Sequence, residues 1–372
     1  MSEALGCVRV RVPATSANLG SGFDSCGLAL GFYDELTVTW VPAEEGVRVT
    51  AVGEGTSGAG LVPTDGSNLI AQSVSAAFIA CGLEQPGLRI EAVNRIPHGR
   101  GMGSSAAAIV GGVTAARGLL AGRVDLSPQR CFALAATIEG HPDNVAPALF
   151  GGFTVAWRQS STADTLLQGG GLDGAAVEGS GAVETGAAVR NVGAVEGGGA
   201  VQNVGAVEGA SASTAPGASN RYEEPQVAVF HIDRRVRPLV LVPSFAVSTS
   251  LARSLQPHTV PLGDAVFNVS RAALLTAALT AKPELLFTAT EDRLHQSYRA
   301  PAMQASAQLI NALRARGHAA MVSGAGPSVL VLAADDDERQ QAAQLATAVQ
   351  PEWVTHTLEI DAKGATVESV RL

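Results

Sequence analysis

Apolar and polar residues alternate in short runs through the first hundred residues, and one stretch instead spaces its apolar residues along a helix face. The alternating runs cover residues 7–12, 34–41, 47–52 and 88–93, and each predicts a strand. Residues 68–80 carry Leu, Ile, Val, Ala and Phe at helical spacing, which predicts a helix between the third and fourth strands.

The remainder of the chain mixes further strands and helices. Strand-like runs occur at residues 153–157, 227–232, 238–242, 318–323, 329–332 and 355–360. Helical patterns occur at residues 104–120, 127–139, 264–280, 303–316 and 338–349. Hairpins interleaved with helices favour two α+β halves over a doubly wound parallel sheet.

Two stretches show neither the alternation of a strand nor the spacing of a helix. Residues 13–30 are rich in glycine and short polar residues and predict a structured loop. From about residue 159 to 225 the chain is rich in Gly, Ala, Ser and Thr, and N-V-G-A-V-E-G occurs twice, at residues 191–197 and 203–209. Such units bury little apolar surface, so we interpret the segment as a low-complexity, mostly disordered insertion, with a short β-solenoid as the alternative.

Charge and cysteine content narrow the class of protein. A net charge of −9 argues against nucleic acid or an anionic membrane surface as a partner. The four cysteines lie far apart without C-x-x-C spacing, which indicates small core residues in a reducing compartment. There is no apolar signal segment and no run of transmembrane length. We therefore expect a cytoplasmic protein with no membrane partner.

The strongest chemical signal is the stretch P-H-G-R-G-M-G-S-S-A-A-A at residues 97–108, whose first seven residues (97–103) are called here the glycine loop. Glycines allow close approach to a ligand, and the following helix start presents free N–H groups, which together favour a phosphate site. The alternative is a glycine-rich turn with a serine N-cap. The chain's two lysines, Lys282 and Lys363, lie outside any motif, so this is not a Walker A loop.

Three glycine-bearing motifs, at residues 13–24, 97–108 and 323–328, resemble in this order those of the GHMP kinases. Within that superfamily, P-A-T-S-A-N-L-G-S-G-F-D and E-G-H-P-D-N-V-A-P-A-L-F-G-G-F resemble the homoserine kinases. Sugar and mevalonate kinases place a Lys or Arg in the first motif, where Thr15, Ser16 and Ala17 stand here.

The resemblance implies a GHMP kinase fold. An N-terminal ATP-binding α/β domain with a left-handed crossover would cover residues 1–150. A ferredoxin-like C-terminal domain would cover residues 151–372, interrupted by the insertion. The implied reaction transfers the γ-phosphoryl group of ATP to the side-chain hydroxyl of L-homoserine, in threonine biosynthesis. Another small-molecule kinase of the superfamily and a non-catalytic ATP and amino-acid sensor are the alternatives, and a homodimer is an open option.

The resemblance also assigns the phosphate and metal sites. Ser105 and Glu139 would hold Mg²⁺, unless Glu139 is only a solvated helix terminus. Asn68 would contact the nucleotide, although as a bare residue it also suits a helix N-cap. The residues expected to bind ATP are Asn68, Pro97, His98, Gly99, Arg100, Gly101, Met102, Gly103, Ser104 and Ser105.

A second set would bind homoserine. Asp24 would accept from the ammonium, Asn18 would orient the hydroxyl, and Arg253 with Arg299, both in loop-like stretches, would bind the carboxylate. Asp24 and His141 are the candidate proton acceptors, with direct transfer to phosphate as the alternative. Asn18, Asp24, His141 and Asn144 form the expected catalytic group. The substrate set is Asn18, Asp24, His141, Asn144, Thr249, Arg253, Arg299 and Gly324, with residues 323–326 as a wall.

Two positions depart from the homoserine kinase pattern. Ser21 and Ser297 stand where proline is usual. The change affects loop stiffness more than chemistry.

Overall fold

The computed structural model describes residues 6–57, 61–159 and 224–371. Most of the predicted insertion, residues 160–223, lies outside this part, so its interpretation stays a prediction. The elements up to the insertion are β1 (Gly6–Ala17), β2 (Cys26–Val41), β3 (Val47–Gly53), α1 (Leu69–Ala80), β4 (Gly87–Asn94), α2 (Ser104–Leu119), α3 (Pro128–Glu139), α4 (Val145–Phe150) and β5 (Phe153–Gln159).

After the insertion, strands and helices again mix. They are β6 (Glu224–Phe230), β7 (Arg237–Val242), α5 (Thr249–Ser254), α6 (Leu262–Thr280), α7 (Leu286–Ala289), α8 (Gln296–Arg299), α9 (Gln304–Arg314), β8 (Ala319–Val322), β9 (Val329–Ala333), α10 (Asp336–Val349), β10 (Val354–Thr357) and β11 (Thr366–Ser369). Short 3-10 turns lie at Ala43–Glu45, Pro283–Leu285 and Ala300–Ala302.

The described strands form two sheets. The first has seven strands, in the order β11-β1-β2-β4-β3, with β5 pairing β2 and β6 pairing β5. Within it β3 and β4 are parallel, and α1 makes the crossover between them. The second sheet has the order β10-β7-β9-β8 and is antiparallel throughout. The first sheet thus takes strands from both sides of residue 150, and the division into domains there stays a prediction.

The predicted loop at residues 13–30 is wrong over most of its length. β1 continues to Ala17 and β2 begins at Cys26, leaving residues 18–25 as the turn between them. The alternating pattern disappears because both faces of this strand end are covered: Thr15 and Ser16 are fully buried and bond to Asn144 and Ser323. Buried short polar residues therefore resemble a loop in the sequence while forming a strand.

Helix α2 lies close against both the first sheet and α1. A Cβ at Gly111 would clash with Leu36 on β2, and a Cβ at Gly112 would clash with the backbone of Ile70 on α1. Glycine at these positions removes the side chains that would hold the helix away. The Met102 carbonyl, just before α2, accepts from the Thr15 N–H at 3.1 Å, so the start of the helix and its glycine loop lie against the end of β1.

The second sheet is covered on both faces. Leu239, Leu241 and Val331 face a cluster with α9 and α10. Val240 and Leu330 face the main core, which they share with α6 and α7. The predicted fold class, α+β with two sheet-based halves, agrees with this arrangement.

Helix α6 is the one described helix that is long and apolar enough to cross a membrane. Three of its residues, Leu275, Ala278 and Leu279, belong to the main core. Its Asn268 is buried and donates to the Ser21 carbonyl at 2.9 Å. These contacts attach one face of the helix to the core, while Leu262, Val266 and Val269 on it are exposed. The cytoplasmic location stays a prediction.

Candidate active site

A cavity of about 160 Å³ lies where the turn after β1, the glycine loop and the segments around α5, α8 and β8 meet. Most residues predicted to bind phosphate, metal or substrate line it. These are Asn18, Asp24, Gly99, Gly101, Gly103, Ser104, Ser105, Glu139, His141, Asn144, Thr249, Arg253, Arg299 and Gly324. Asp143 and Val247 also line it, although the sequence analysis did not single them out.

The glycine loop packs closely against two distant parts of the chain. Gly101 and Gly103 have φ angles of 73° and 71°, which favour glycine. A Cβ at Gly101 would clash with the Ser323 carbonyl, and a Cβ at Gly103 would clash with the Thr15 hydroxyl. Both glycines are therefore required by space as well as by conformation.

Helix α2 begins directly behind this loop with Gly103 as its N-cap, and no side chain caps it. The alternative of a serine N-cap is therefore wrong. The first N–H groups of a helix have no partner within the helix, and the dipole makes this end positive. The start of α2 is accordingly suited to an anion.

Four side chains predicted for ATP binding point away from this cavity. Arg100 donates to Glu54 at 3.3 Å and to the Ser244 carbonyl at 3.1 Å. Met102 is fully buried in the core, and Pro97 is buried beside a separate pocket. His98 lines a neighbouring cavity. Direct side-chain contact of these four residues with a ligand in the 160 Å³ cavity is thus not supported.

That neighbouring cavity, of about 270 Å³, adjoins the first because Ser104 and Ser105 line both. Its wall is mostly apolar and also contains Asn68 and His98. Asn68 caps α1, accepting from the Ile70 N–H at 3.0 Å, so the N-cap interpretation is confirmed while the residue still lines the cavity. Burial lowers the pKa of His98, which favours the neutral imidazole.

Ser105 and Glu139 meet at the boundary of the two cavities. The Ser105 hydroxyl donates to Glu139 Oε2 at 2.7 Å. Burial raises the pKa of Glu139, and the hydrogen bond from Ser105 opposes that shift. A nearby cation would favour the ionised carboxylate, so the pair suits a positively charged ligand.

His141 is held by a carboxylate that the sequence analysis missed. His141 Nδ1 lies 3.1 Å from Asp143 Oδ1, and the Asp143 side chain is only 3% exposed. Burial disfavours the imidazolium, but the hydrogen bond and charge of Asp143 outweigh it, and the pKa of His141 is raised. In the same segment Asn144 accepts from the Thr15 hydroxyl at 2.8 Å, which leaves its amide nitrogen as a donor.

Asn18 joins the two halves of the chain. Its amide nitrogen donates to the Gly324 carbonyl at 2.7 Å, and its amide oxygen accepts from the Asp24 N–H at 2.9 Å. One N–H and one lone pair of this amide are left for a ligand. Its role in orienting the substrate hydroxyl stays a prediction.

Asp24, Arg253 and Arg299 supply charges of both signs. Arg253 forms a two-point ion pair with Asp24, at 3.1 and 3.3 Å. Arg299 is only 2% exposed and donates to the Gly324 carbonyl at 3.2 Å. Both arginines lie on helices, Arg253 in α5 and Arg299 at the end of α8, so their predicted placement in loops is wrong. Four-residue and six-residue helices are too short to leave a periodic pattern.

Two family profiles match this chain. The profile described as "GHMP kinases N terminal domain" covers residues 68–152, and "GHMP kinases C terminal" covers residues 271–350. The homoserine kinase of Clavibacter michiganensis subsp. michiganensis is 47% identical over 98% of this chain and 94% of its own length. The homoserine kinase of Streptomyces coelicolor is 41% identical over 97% of this chain and 94% of its own.

The chain belongs to the homoserine kinase family. Solved structures agree on the fold: a homoserine kinase from Cytophaga hutchinsonii superposes with a TM-score of 0.71 at 22% identity, covering 97% of both chains. A mevalonate diphosphate decarboxylase from Staphylococcus aureus has a TM-score of 0.58 at 15% identity, covering 98% of both chains. The predicted GHMP kinase fold and superfamily are confirmed.

One pair in the cavity, His141 with Asp143, lies within a single motif, and two others join segments that are far apart in the sequence. Asp143 lies two positions after His141 in E-G-H-P-D-N, so its proximity to the imidazole could have been inferred from the motif. No local signal joins Thr15 to Asn144 or Asn18 to Gly324, because those partners are far apart in sequence. The roles of the individual site residues stay predictions.

Proposed function

We propose that this chain transfers the γ-phosphoryl group of ATP to the side-chain hydroxyl of L-homoserine, forming O-phospho-L-homoserine. The observation that carries the proposal is the pair of adjoining cavities that share Ser104 and Ser105. One has a mostly apolar wall and the other contains acids and arginines. Such a pair suits a nucleotide and a zwitterionic amino acid that meet at one phosphate.

The nucleotide would place its base and ribose in the apolar cavity, beside Asn68 and His98. Its phosphates would follow the glycine loop to the start of α2. Gly101 and Gly103 let the backbone approach them closely, and the helix N–H groups would take the charge of the anion. No lysine is needed in such a cradle.

Mg²⁺ would bind at Ser105 and Glu139, where it would replace the 2.7 Å hydrogen bond that now joins their side-chain oxygens. Among the described residues no group of three or more His, Cys, Asp or Glu could hold a metal alone. Phosphate oxygens and water would complete the shell of an ion at Ser105 and Glu139. Bound there, Mg²⁺ would neutralise charge on the β- and γ-phosphates.

Homoserine would lie in the smaller cavity, where side chains from both halves meet. Arg299 and Arg253 suit its carboxylate, since a guanidinium binds a carboxylate through two parallel hydrogen bonds. Asp24 suits its ammonium. Binding would hold the hydroxyl beside the phosphate cradle, and phosphoryl transfer depends mainly on such positioning.

The hydroxyl proton has two protein acceptors within this cavity, Asp24 and His141. His141 is held by Asp143, which raises its pKa and makes the protonated form easier to reach. Asp24 is paired with Arg253. Transfer of the proton directly to the phosphate is the third route. The pH profiles of His141→Asn and Asp24→Asn variants would separate these routes.

An ADP-release assay over a panel of hydroxyl compounds tests the proposal. We expect Mg²⁺-dependent ADP release with L-homoserine and little with mevalonate or galactose. Binding of ATP and homoserine without turnover would contradict the proposal and favour a sensor. Turnover with another alcohol in place of homoserine would keep the kinase chemistry and overturn the substrate.

A further inference from the structure

The turn at residues 18–25, called here the substrate turn, has an unfavourable backbone. Asn18, Leu19 and Asp24 have φ angles of 70°, 45° and 54°, in the left-handed region that non-glycine residues rarely adopt. This turn carries two of the proposed homoserine ligands, Asn18 and Asp24. Contacts from elsewhere in the chain are therefore needed to hold it.

His295 makes the most specific of these contacts. It is fully buried, and its Nε2 lies 2.8 Å from the carbonyl oxygen of Gly20, which is also buried. Because a carbonyl only accepts, Nε2 must carry the hydrogen. Burial lowers the pKa of His295, which favours the neutral ring, while the Asp292 carboxylate, 3.7 Å from Nε2, opposes that shift. The Nδ1 atom has no hydrogen-bond partner among the described residues.

The same ring also packs against the substrate turn. His295 stacks on Phe23, with centroids 4.9 Å apart and planes 12° from parallel. The guanidinium carbon of Arg299 lies 5.3 Å from the centroid of the same Phe23 ring. Phe23 immediately precedes Asp24, so one aromatic ring connects His295 to both charged ends of the proposed substrate site.

A buried acid fixes His295 in turn. The Asp292 carboxylate accepts from the backbone N–H groups of Leu294, His295 and Gln296, at 2.8, 3.1 and 2.8 Å. These bonds hold the backbone just before α8, whose N-cap is His295 and whose last residue is Arg299. The imidazole is thus presented from a rigid support.

We propose that His295 is a positioning residue that holds the substrate turn in its binding conformation and so sets the affinity for homoserine but not for ATP. The choice of homoserine as the ligand rests on the proposed function. The substrate turn lines the smaller cavity, whereas none of its residues lines the larger, nucleotide cavity. A change at His295 should therefore act on one substrate and spare the other.

Two variants test the proposal. His295→Leu removes both the donor and the aromatic ring, and His295→Gln restores a donor near the position of Nε2. We expect His295→Leu to raise the homoserine KM about tenfold, as for loss of one buried hydrogen bond. The ATP KM should stay within about twofold, and His295→Gln should recover most of the homoserine KM.

His318 provides a matched control, because it is also a buried histidine, 6% exposed. Its Nδ1 has no hydrogen-bond partner among the described residues and, like His295 Nε2, lies 3.7 Å from a carboxylate oxygen, here of Glu338. It lies between α9 and β8 and lines neither cavity. His318→Leu should lower thermal stability without changing the ratio of the two KM values. If His295→Leu raises both KM values equally, or neither, the proposal is wrong.

Hydrogen exchange provides a readout that does not depend on the substrate. In the unliganded protein, His295→Leu should speed exchange in peptides covering residues 18–25 by about tenfold or more, and His295→Gln should restore protection. His318→Leu should leave those peptides unchanged. Unaltered exchange in His295→Leu would overturn the positioning role even if homoserine were not the substrate. Absence of homoserine-dependent turnover in the wild type would instead overturn the proposed function.

Discussion

Asp24 and Arg253 stand 229 positions apart in the sequence and face each other in a two-point ion pair, at 3.1 and 3.3 Å, in the wall of the candidate active site. Their side chains are 39% and 41% exposed. An ion pair so exposed contributes about 0–1 kcal/mol to stability. Its position beside the proposed substrate is therefore the better explanation of the pair: under the proposed function, homoserine would offer an ammonium to Asp24 and a carboxylate to Arg253.

Breaking this pair should accordingly change catalysis and not stability. We expect Asp24→Asn and Arg253→Gln each to lower kcat/KM for homoserine about tenfold or more, while the free energy of unfolding changes by less than about 1 kcal/mol. The pair Arg95 and Glu35, at 3.2 Å with side chains 44% and 43% exposed, is a matched control. Glu35→Gln should change neither quantity. A large loss of stability in Asp24→Asn, with normal kinetics, would contradict the interpretation.

We expect Arg299 to bind the homoserine carboxylate. A bidentate, charge-assisted contact is worth about 1.5–3 kcal/mol, so Arg299→Leu should raise the homoserine KM about 10- to 150-fold while the ATP KM changes little. Because Arg299 is buried, Arg299→Lys serves as a second variant that keeps the charge and loses the fork. Steady-state kinetics with each substrate varied in turn measures both effects.

A homoserine analogue without the carboxylate, 3-aminopropanol, is the control for Arg299. The wild type should discriminate sharply against it, and Arg299→Leu should discriminate much less. If the variant keeps the full preference for homoserine, Arg299 is not the partner of the carboxylate. In that case Arg253 is the remaining arginine of the cavity.

Ser105→Ala and Glu139→Ala should impair use of Mg·ATP more than binding of homoserine. Each removes one oxygen of the pair that lies 2.7 Å apart at the boundary of the cavities. Loss of such electrostatic stabilisation should lower kcat by about 10²-fold or more, with a steeper dependence on Mg²⁺ concentration. Near-normal turnover of Glu139→Ala at ordinary Mg²⁺ concentrations would place the metal ligand elsewhere.

Residues 160–223 should be dispensable for catalysis. Gln159 at the end of β5 pairs with Glu224 at the start of β6 in antiparallel register, so a short hairpin turn can join them. We expect replacement of 160–223 by a short Asn-Gly-containing linker to keep kcat within a few fold. The opposite outcome, a folded protein with almost no activity, would make the segment functional.

Local patterns predicted the six helices of eleven or more residues and most strands, because each of these elements is long enough to show a repeating buried face. The short helices α4, α5, α7 and α8 were not predicted. The N-cap at Asn68 and the capped start of α3 at Ser127 agree with the sequence signals. The prediction failed at residues 13–17, where small polar side chains fill a strand end buried on both faces. Strand β11 also escaped prediction, because Thr366–Ser369 is short and its role depends on pairing with β1 at the other end of the chain.

The candidate site was predictable to the extent that its residues lie within contiguous motifs. Ser105, His141 and Asp24 are examples, because each lies within a motif of about a dozen residues. What the sequence could not reveal is which side chains satisfy one another. Two such contacts are the hydrogen bond from Asn18 to Gly324 and the packing of Phe23 against His295 and Arg299. They form only when distant segments of the chain meet.

Asp34 should make stability depend on pH in a specific direction. It is 6% exposed, and its Oδ1 accepts from the N–H groups of Arg95 and Ile96 at 2.6 and 2.9 Å. Burial nevertheless raises the pKa of Asp34 to about 6, above its usual value of about 3.9. The folded state thus binds the proton more tightly than the unfolded state. The stability contributed by this proton is fully present below about pH 4 and is lost as the pH rises through about 6.

Asp34→Asn keeps an amide oxygen for both N–H groups and removes the buried charge. We expect the free energy of unfolding of this variant to exceed that of the wild type by up to about 3 kcal/mol at pH 8. The difference should disappear near pH 4. Urea denaturation at pH 4.5, 6 and 8 measures it. Glu91→Gln, which neutralises an exposed carboxylate on the neighbouring β4, should leave the pH dependence unchanged. A stability difference between wild type and Asp34→Asn that is the same at all three pH values would show that Asp34 carries no raised pKa, because only a titrating carboxyl makes that difference vary with pH.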